Sequence, residues 1–237
     1  DSCEDRYFYG DVKRLNPEAP VPILEYRRGV TSKGMVWNVR ENLRSFGVEV
    51  YTSTHPEEII KTRYIDEKSN QQIMRYDVEP KIEPLSFDFP SEWNNLYDAL
   101  VISDYDKGFL TTEKIFELTS RFVGPVFIDS KKSNLPADAY IKINELEHER
   151  MAYCNYENLI ITRGGEGAEY KGDLYPAEKV NVFDVVGAGD TFLAALTYGY
   201  LKYGRIDKAI PLANKAAAVA VSHRGTYVLT EEDVKQL

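Results

Sequence analysis

Short continuous apolar runs recur along this chain, each ending in a cluster of polar residues. Ala99-Leu100-Val101-Ile102-Ser103, Pro125-Val126-Phe127-Ile128-Asp129, Tyr140-Ile141-Lys142-Ile143 and Leu159-Ile160-Ile161-Thr162 are four such runs. Runs of this length without alternation predict strands buried on both faces, as in a parallel sheet. Their polar ends are Asp104-Tyr105-Asp106-Lys107-Gly108, Asp129-Ser130-Lys131-Lys132, Asn144-Glu145-Leu146-Glu147 and Arg163-Gly164-Gly165-Glu166-Gly167. Open α/β sheets bind their ligands at the carboxyl ends of strands, so four polar ends in series mark one candidate site.

Amphipathic stretches of helical period fall between and around these runs. Gly34 to Phe46 places Val36, Val39, Leu43 and Phe46 on one face and is closed by Gly47. Thr111 or Thr112 is placed to cap a helix through Phe122. Ile206 to Val221 is Ala-rich and apolar on one face, and a last capped helix begins near Thr230. Strand, polar end and helix in repetition predict a parallel sheet with right-handed crossovers.

The N-terminal third reads differently. Ile23 to Arg28 alternates as a half-exposed strand, and Ile60–Ile65 and Asn70–Asp77 predict two strands joined by a turn at Glu67–Asn70. Three prolines between Arg14 and Pro22 exclude helix and predict an extended, fixed connector. Glu79 to Trp93, with Pro80, Pro84 and Pro90, predicts a loop.

At 237 residues, 43% hydrophobic and 28% charged, the composition is that of an ordinary globular protein. The net charge of −9 argues against nucleic-acid binding, so an anionic substrate would need local basic groups. No apolar run approaches the ~20 residues needed to span a bilayer. Cys3 and Cys154 have no framework spacing, and neither a secretory signal nor an internal repeat is visible in these residues. A cytoplasmic, reduced setting is the expectation.

The sharpest chemical signal is Phe183-Asp184-Val185-Val186-Gly187-Ala188-Gly189-Asp190-Thr191-Phe192, followed by the apolar run Leu193–Leu196. A glycine turn opening a buried helix presents backbone N–H groups and the positive end of the helix dipole, which suits a phosphate. Asp190 in the first turn either caps the helix or takes a proton from a hydroxyl that attacks the phosphate.

This ten-residue run resembles the C-terminal motif of the PfkB (ribokinase-like) carbohydrate kinases, although Val186 stands where a hydroxyl residue is usual. The runs Asp1–Gly10 and Arg14–Pro22, with Ser103-Asp104-Tyr105, Lys107-Gly108 and Arg224-Gly225-Thr226, resemble the D-glycero-heptose 7-phosphate kinase branch of that family. The resemblance implies a single kinase domain over 1–237. It would be a shortened three-layer α/β sandwich, with a mostly parallel central sheet and a small β lid formed by about 8–30 and 60–78. A strand expected before Asp1 is not in the sequence. No H-x-G-H motif occurs, so adenylyl transfer is not expected of these residues.

The resemblance also implies roles. Asp190 is the catalytic base, and Gly187, Ala188 and Gly189 hold developing negative charge. Asp1, Arg14, Asn38, Lys61, Arg63, Gln72, Asp104 and Lys107 meet the sugar or its phosphate. Lys131, Asn144, Glu147, Thr162, Arg163, Gly164, Gly187, Gly189 and Asn214 line the nucleotide side, with Glu147, directly or through water, on the metal. ATP and Mg²⁺ are the implied cofactors and the anomeric hydroxyl of D-glycero-D-manno-heptose 7-phosphate the implied acceptor, with no nucleic-acid or membrane partner. The alternatives are a kinase for another small sugar or sugar phosphate, or a catalytically weak nucleotide- or sugar-binding relative. The resemblance admits a homodimer through the lid.

Overall fold

The computed structural model describes residues 1–86, 89, 91–150 and 156–237; Cys154 lies outside the described residues. The chain divides into two compact units, 2–34 with 56–81, and 1 with 35–55 and 82–237.

The smaller unit is a four-stranded sheet of β1 (Ser2–Leu15), β2 (Pro22–Met35), β3 (Ile60–Asp66) and β4 (Gln71–Val78), ordered β2-β1-β3-β4. β1 runs parallel to β3, and β3 antiparallel to β4. The proline-rich run is only the connection between β1 and β2, closed by the Asn16 amide on the Val21 carbonyl at 2.8 Å. The first strand therefore begins at Ser2, six residues before the expected boundary. In the β3–β4 turn, Asn70 takes the left-handed φ of 57°, and Asp66 accepts from the Ser69 amide and hydroxyl at 2.9 and 2.6 Å.

The larger unit begins with α1 (Val36–Ser45) and continues through β5 (Leu100–Asp104), α2 (Thr112–Arg121), β6 (Val126–Ser130), β7 (Tyr140–Asn144), α3 (Glu145–Arg150) and β8 (Leu159–Thr162). The hairpin β9 (Ala168–Tyr170) and β10 (Asp173–Tyr175) follows, then α4 (Ala188–Tyr203), α5 (Ile206–Val221) and α6 (Glu231–Gln236). The sheet order is β10-β9-β8-β7-β6-β5, parallel from β5 to β8 and antiparallel beyond. This is the predicted mostly parallel sheet, with an antiparallel hairpin added at one edge that the sequence reading did not include. Among the described residues no helix is long and apolar enough to cross a membrane.

Alternation along each strand divides the core between the two sheet faces. Phe127 and Ile160 join Val39, Leu43, Leu193, Leu196, Ile210 and Ala213 in one apolar cluster, which places α1, α4 and α5 over one face. Ile128, Ile141 and Ile143 point the other way and are fully buried. α4 and α5 approach closely at Gly199, where an added Cβ would lie 3.0 Å from both Cα and Cβ of Ala209.

Candidate active site

Gly187 sets the entry to α4. It occupies the N-cap with φ of 79°, a conformation that a side chain resists, and an added Cβ would stand 2.6 Å from Asn38 Nδ2. Its carbonyl accepts from the Thr191 amide at 3.0 Å and from Asn38 Nδ2 at 3.1 Å. The amides of Gly189 and Asp190 belong to the helix's first turn, where N–H groups lack intrahelical acceptors, while the Ala188 amide donates to the Val185 carbonyl at 3.3 Å.

Asp190 is 3% exposed and makes no capping bond. Its Oδ1 accepts from the Tyr105 hydroxyl at 2.8 Å, and its Oδ2 from Asn38 Nδ2 at 3.3 Å. Burial and the nearby charge of Asp129 push its pKa up to about 7, against the pull of Tyr105, Asn38 and Lys142. A carboxylate so placed at a helix N-terminus is matched to proton exchange near neutral pH. Asn38 is itself gripped by Asn42, whose Nδ2 donates to Asn38 Oδ1 at 3.0 Å.

Asp1 fixes the loop after β5. Its Oδ2 accepts from the amides of Tyr105 and Lys107 at 2.7 and 3.1 Å, and its own nitrogen donates to the Ser103 carbonyl at 2.8 Å. Within the larger unit, Tyr105 thus links Asp1 and the Lys107 amide at one end to Asp190 and Asn38 at the other. Asp104 departs from expectation. It is 2% exposed and accepts from Ser130 Oγ at 2.6 Å, Lys132 Nζ at 2.9 Å and the Asp106 amide at 3.1 Å. Its carboxylate knits strand ends together and offers no open face to a sugar.

On the proposed nucleotide side, Asn144 and Glu147 form a reciprocal cap on α3. The Asn144 amide donates to Glu147 Oε2, and the Glu147 amide to Asn144 Oδ1, both at 2.9 Å. Thr162 Oγ1 donates to the Ile143 carbonyl at 3.2 Å. Arg163 is held by Glu145 and Glu169 (2.5 and 2.7 Å), and Gly164 takes φ of 52° with open space where a Cβ would be. Lys131 places its ammonium 5.2 Å from the centroid of the Tyr105 ring. Asn214 is buried, and its Nδ2 donates to the Tyr175 carbonyl at 2.7 Å. That donor is committed to backbone.

Arg14, Lys61, Arg63 and Gln72 all lie in the smaller unit. Arg14 and Gln72 are exposed and Lys61 is half-buried. Arg63 is buried and pairs with Asp5 at 2.5 Å, above the Tyr7 ring. It serves the interior of that unit, contrary to the expected sugar contact.

Sequence reasoning passed over Tyr105 and Lys142 as site residues. Tyr105 stood inside a quoted motif, and Lys142 was hidden as the one charge within an apolar strand run.

ATP and Mg²⁺ fit these residues. The first-turn amides of α4 suit phosphate oxygens. Among the described residues no group of three or more His, Cys, Asp or Glu side chains is arranged to hold a metal. The cap occupies one oxygen of Glu147 and leaves Oε1 for a metal or its water. One carboxylate completed by substrate phosphates and water is a usual environment for Mg²⁺.

Residues 137–233 match the pfkB family carbohydrate kinases. The chain is 30% identical to the bifunctional protein HldE of a Nitratiruptor species, over 98% of this chain and 62% of that protein. It is 29% identical to the bifunctional protein HldE of Helicobacter acinonychis, over 99% of this chain and 64% of that protein. The chain therefore spans less than two thirds of the length of these relatives. The first alignment extends over 287 positions against 237 residues, so the relative carries additional residues inside the matched span. Among solved structures, phosphofructokinase-2 from Escherichia coli in complex with substrates and products superposes with a TM-score of 0.74 at 16% identity. That match covers 99% of this chain and 95% of the other. Ribokinase from Thermotoga maritima gives 0.67 at 17%, covering 99% and 96%. At these identities the likeness to solved structures shows a ribokinase-like fold, and the family match is to residues 137–233.

Proposed function

We propose that this chain is an ATP- and Mg²⁺-dependent sugar kinase in which Asp190 accepts the proton of the attacking hydroxyl. The carrying observation is the buried Asp190 carboxylate, with its pKa raised to about 7, in the first turn of a helix entered through a left-handed glycine. Bound ATP with its metal supplies the phosphoryl group and neutralises its charge. Asn38 and Tyr105 orient the two carboxylate oxygens, and Asp190 takes the proton at one of them. The Gly187–Gly189 turn offers amides to the oxygens on which negative charge grows, each well-placed donor contributing about 3 kcal/mol. Loss of the base costs on the order of 10²- to 10⁴-fold in rate.

The substrate we infer is D-glycero-D-manno-heptose 7-phosphate, phosphorylated on its anomeric hydroxyl. It is supported by the resemblance of the Arg14–Pro22 and Ser103–Gly108 runs to the heptose branch and by the HldE relatives. One feature favours a different small sugar or sugar phosphate. At the start of α1, where the family has a di-glycine, this chain has the buried Met35 with φ of 58°. Its side chain fills space that a glycine would leave open.

ADP release from Mg-ATP, measured with a panel of sugars and sugar phosphates including heptose 7-phosphate, tests both readings. Turnover on one sugar that Asp190→Asn loses upholds the kinase and names its substrate. Full turnover in the variant overturns Asp190 as the base. Nucleotide binding without turnover on any sugar replaces the kinase by a binding protein.

A further inference from the structure

Beneath the first turn of α4 lies an ion pair that the proposed chemistry does not use. Asp129 and Lys142 are cross-strand partners on β6 and β7, with Nζ and Oδ2 2.6 Å apart. Lys142 is 4% exposed. A Cβ added to Gly189 would lie 2.8 Å from Lys142 Nζ and 4.0 Å from Asp129 Oδ2, so the pair sits directly against the residue preceding Asp190. One pleat earlier on the same two strands, the partners are Phe127 and Tyr140, whose rings stack at 5.2 Å. An apolar pair therefore fits this sheet face, and burying an ion pair is the costlier choice.

The surroundings show what the charges act on. Asp190 faces Tyr105 from the loop after β5, Asn38 from α1, Asp129 from β6 and Lys142 from β7. Glu147 of α3 acts in turn on Lys142. Burial opposes the charge of Lys142, yet Asp129 outweighs it and holds the ammonium protonated. The ion pair thus lies behind one titrating carboxylate.

We propose that Lys142 and Asp129 are a positioning pair for Asp190, Lys142 favouring the ionised carboxylate and Asp129 opposing it, so that their balance sets its readiness to take a proton. The kinetic consequence rests on the kinase reading above; the electrostatic one does not. The test is a ¹³C NMR titration of the Asp190 carboxyl in the intact chain without substrates. The parent, Lys142→Met, Asp129→Asn and the double variant are compared, with the signal assigned by its loss in Asp190→Asn.

The midpoint moves up in Lys142→Met and down in Asp129→Asn, each by about 1 pH unit, and returns near the parent in the double variant. The acid limb of the kcat profile follows the same order. A merely structural pair would shift neither midpoint, or both in one direction, and that result overturns the proposal. Should Lys142→Met fail to fold, the downward shift in Asp129→Asn, which keeps the size of the side chain, decides alone. Opposite shifts with no turnover on any sugar uphold the pair and refute the kinase; Asp190-dependent turnover with unmoved midpoints does the reverse.

Discussion

Tyr105 donates its hydroxyl hydrogen to Asp190 Oδ1 at 2.8 Å, joining residues 85 positions apart. The tyrosine is anchored at its other end too, because its amide donates to Asp1 at 2.7 Å. The end of β5 and the start of α4 are thereby tied through one phenol. Its hydrogen bond favours the ionised form of Asp190 and partly offsets the effect of burial.

Tyr105→Phe removes that offset while keeping the ring. The pKa of Asp190 then rises above the parent's value of about 7, and the acid limb of the kcat–pH profile moves to higher pH. A profile that keeps its midpoint while kcat falls would assign Tyr105 to substrate binding instead.

Asp190 also weighs on stability. Its native pKa of about 7 lies above the ordinary 3.8, so the folded state binds more protons between those values. Stability is therefore lost as pH rises through that window. Asp190→Asn lifts this penalty, and the variant should be more stable than the parent at pH 8 by up to about 4 kcal/mol. The advantage shrinks towards pH 4. Urea unfolding at the two pH values checks it.

Gly187→Ala meets two obstacles, a φ of 79° and a 2.6 Å approach to Asn38 Nδ2. We expect a loss of about 1–3 kcal/mol, together with a fall in kcat as Asn38 is driven off Asp190. Gly47→Ala shares the φ of 79° but meets nothing within 4 Å. It should show the conformational cost alone, with kcat unchanged, so comparing the two isolates the displacement of Asn38.

Arg63→Met strands Asp5, which is 3% exposed, without its partner at 2.5 Å. Breaking a buried pair from one side costs about 3–5 kcal/mol. Adding Asp5→Asn should recover most of that loss in thermal unfolding. A change in sugar KM with unchanged stability would restore the sugar-binding role first expected of Arg63.

The elements that carry the site were legible because their signals are local. The Gly187–Asp190 turn and the apolar residues after it mark α4, and the β5 to β8 runs mark the parallel sheet. The hairpin of β9 and β10 escaped notice because three-residue strands have no room for a period. Its only sign was Lys171-Gly172, where both residues take positive φ, the two-residue hairpin turn. β1 was hidden by Glu4, Asp5, Arg6 and Asp11, which break the apolar alternation. The misassigned side chains failed for a different reason. Asp104 is claimed by Ser130 and Lys132, Arg63 by Asp5, and Asn214 by the Tyr175 carbonyl. Each partner is 26 to 58 positions away, a distance at which a single sequence carries no pairing information.

The contact of Gly199 with Ala209 makes α4 a lever with its fulcrum far from the chemistry. Gly199 stands nine residues beyond Asp190, about 13 Å along the helix axis. A hydrogen in place of a side chain lets the two helices meet there without displacing Ala209. A Cβ there must push Ala209 back by a few tenths of an ångström, so the packing of the helix that carries Asp190 is tuned at a position far from the chemistry.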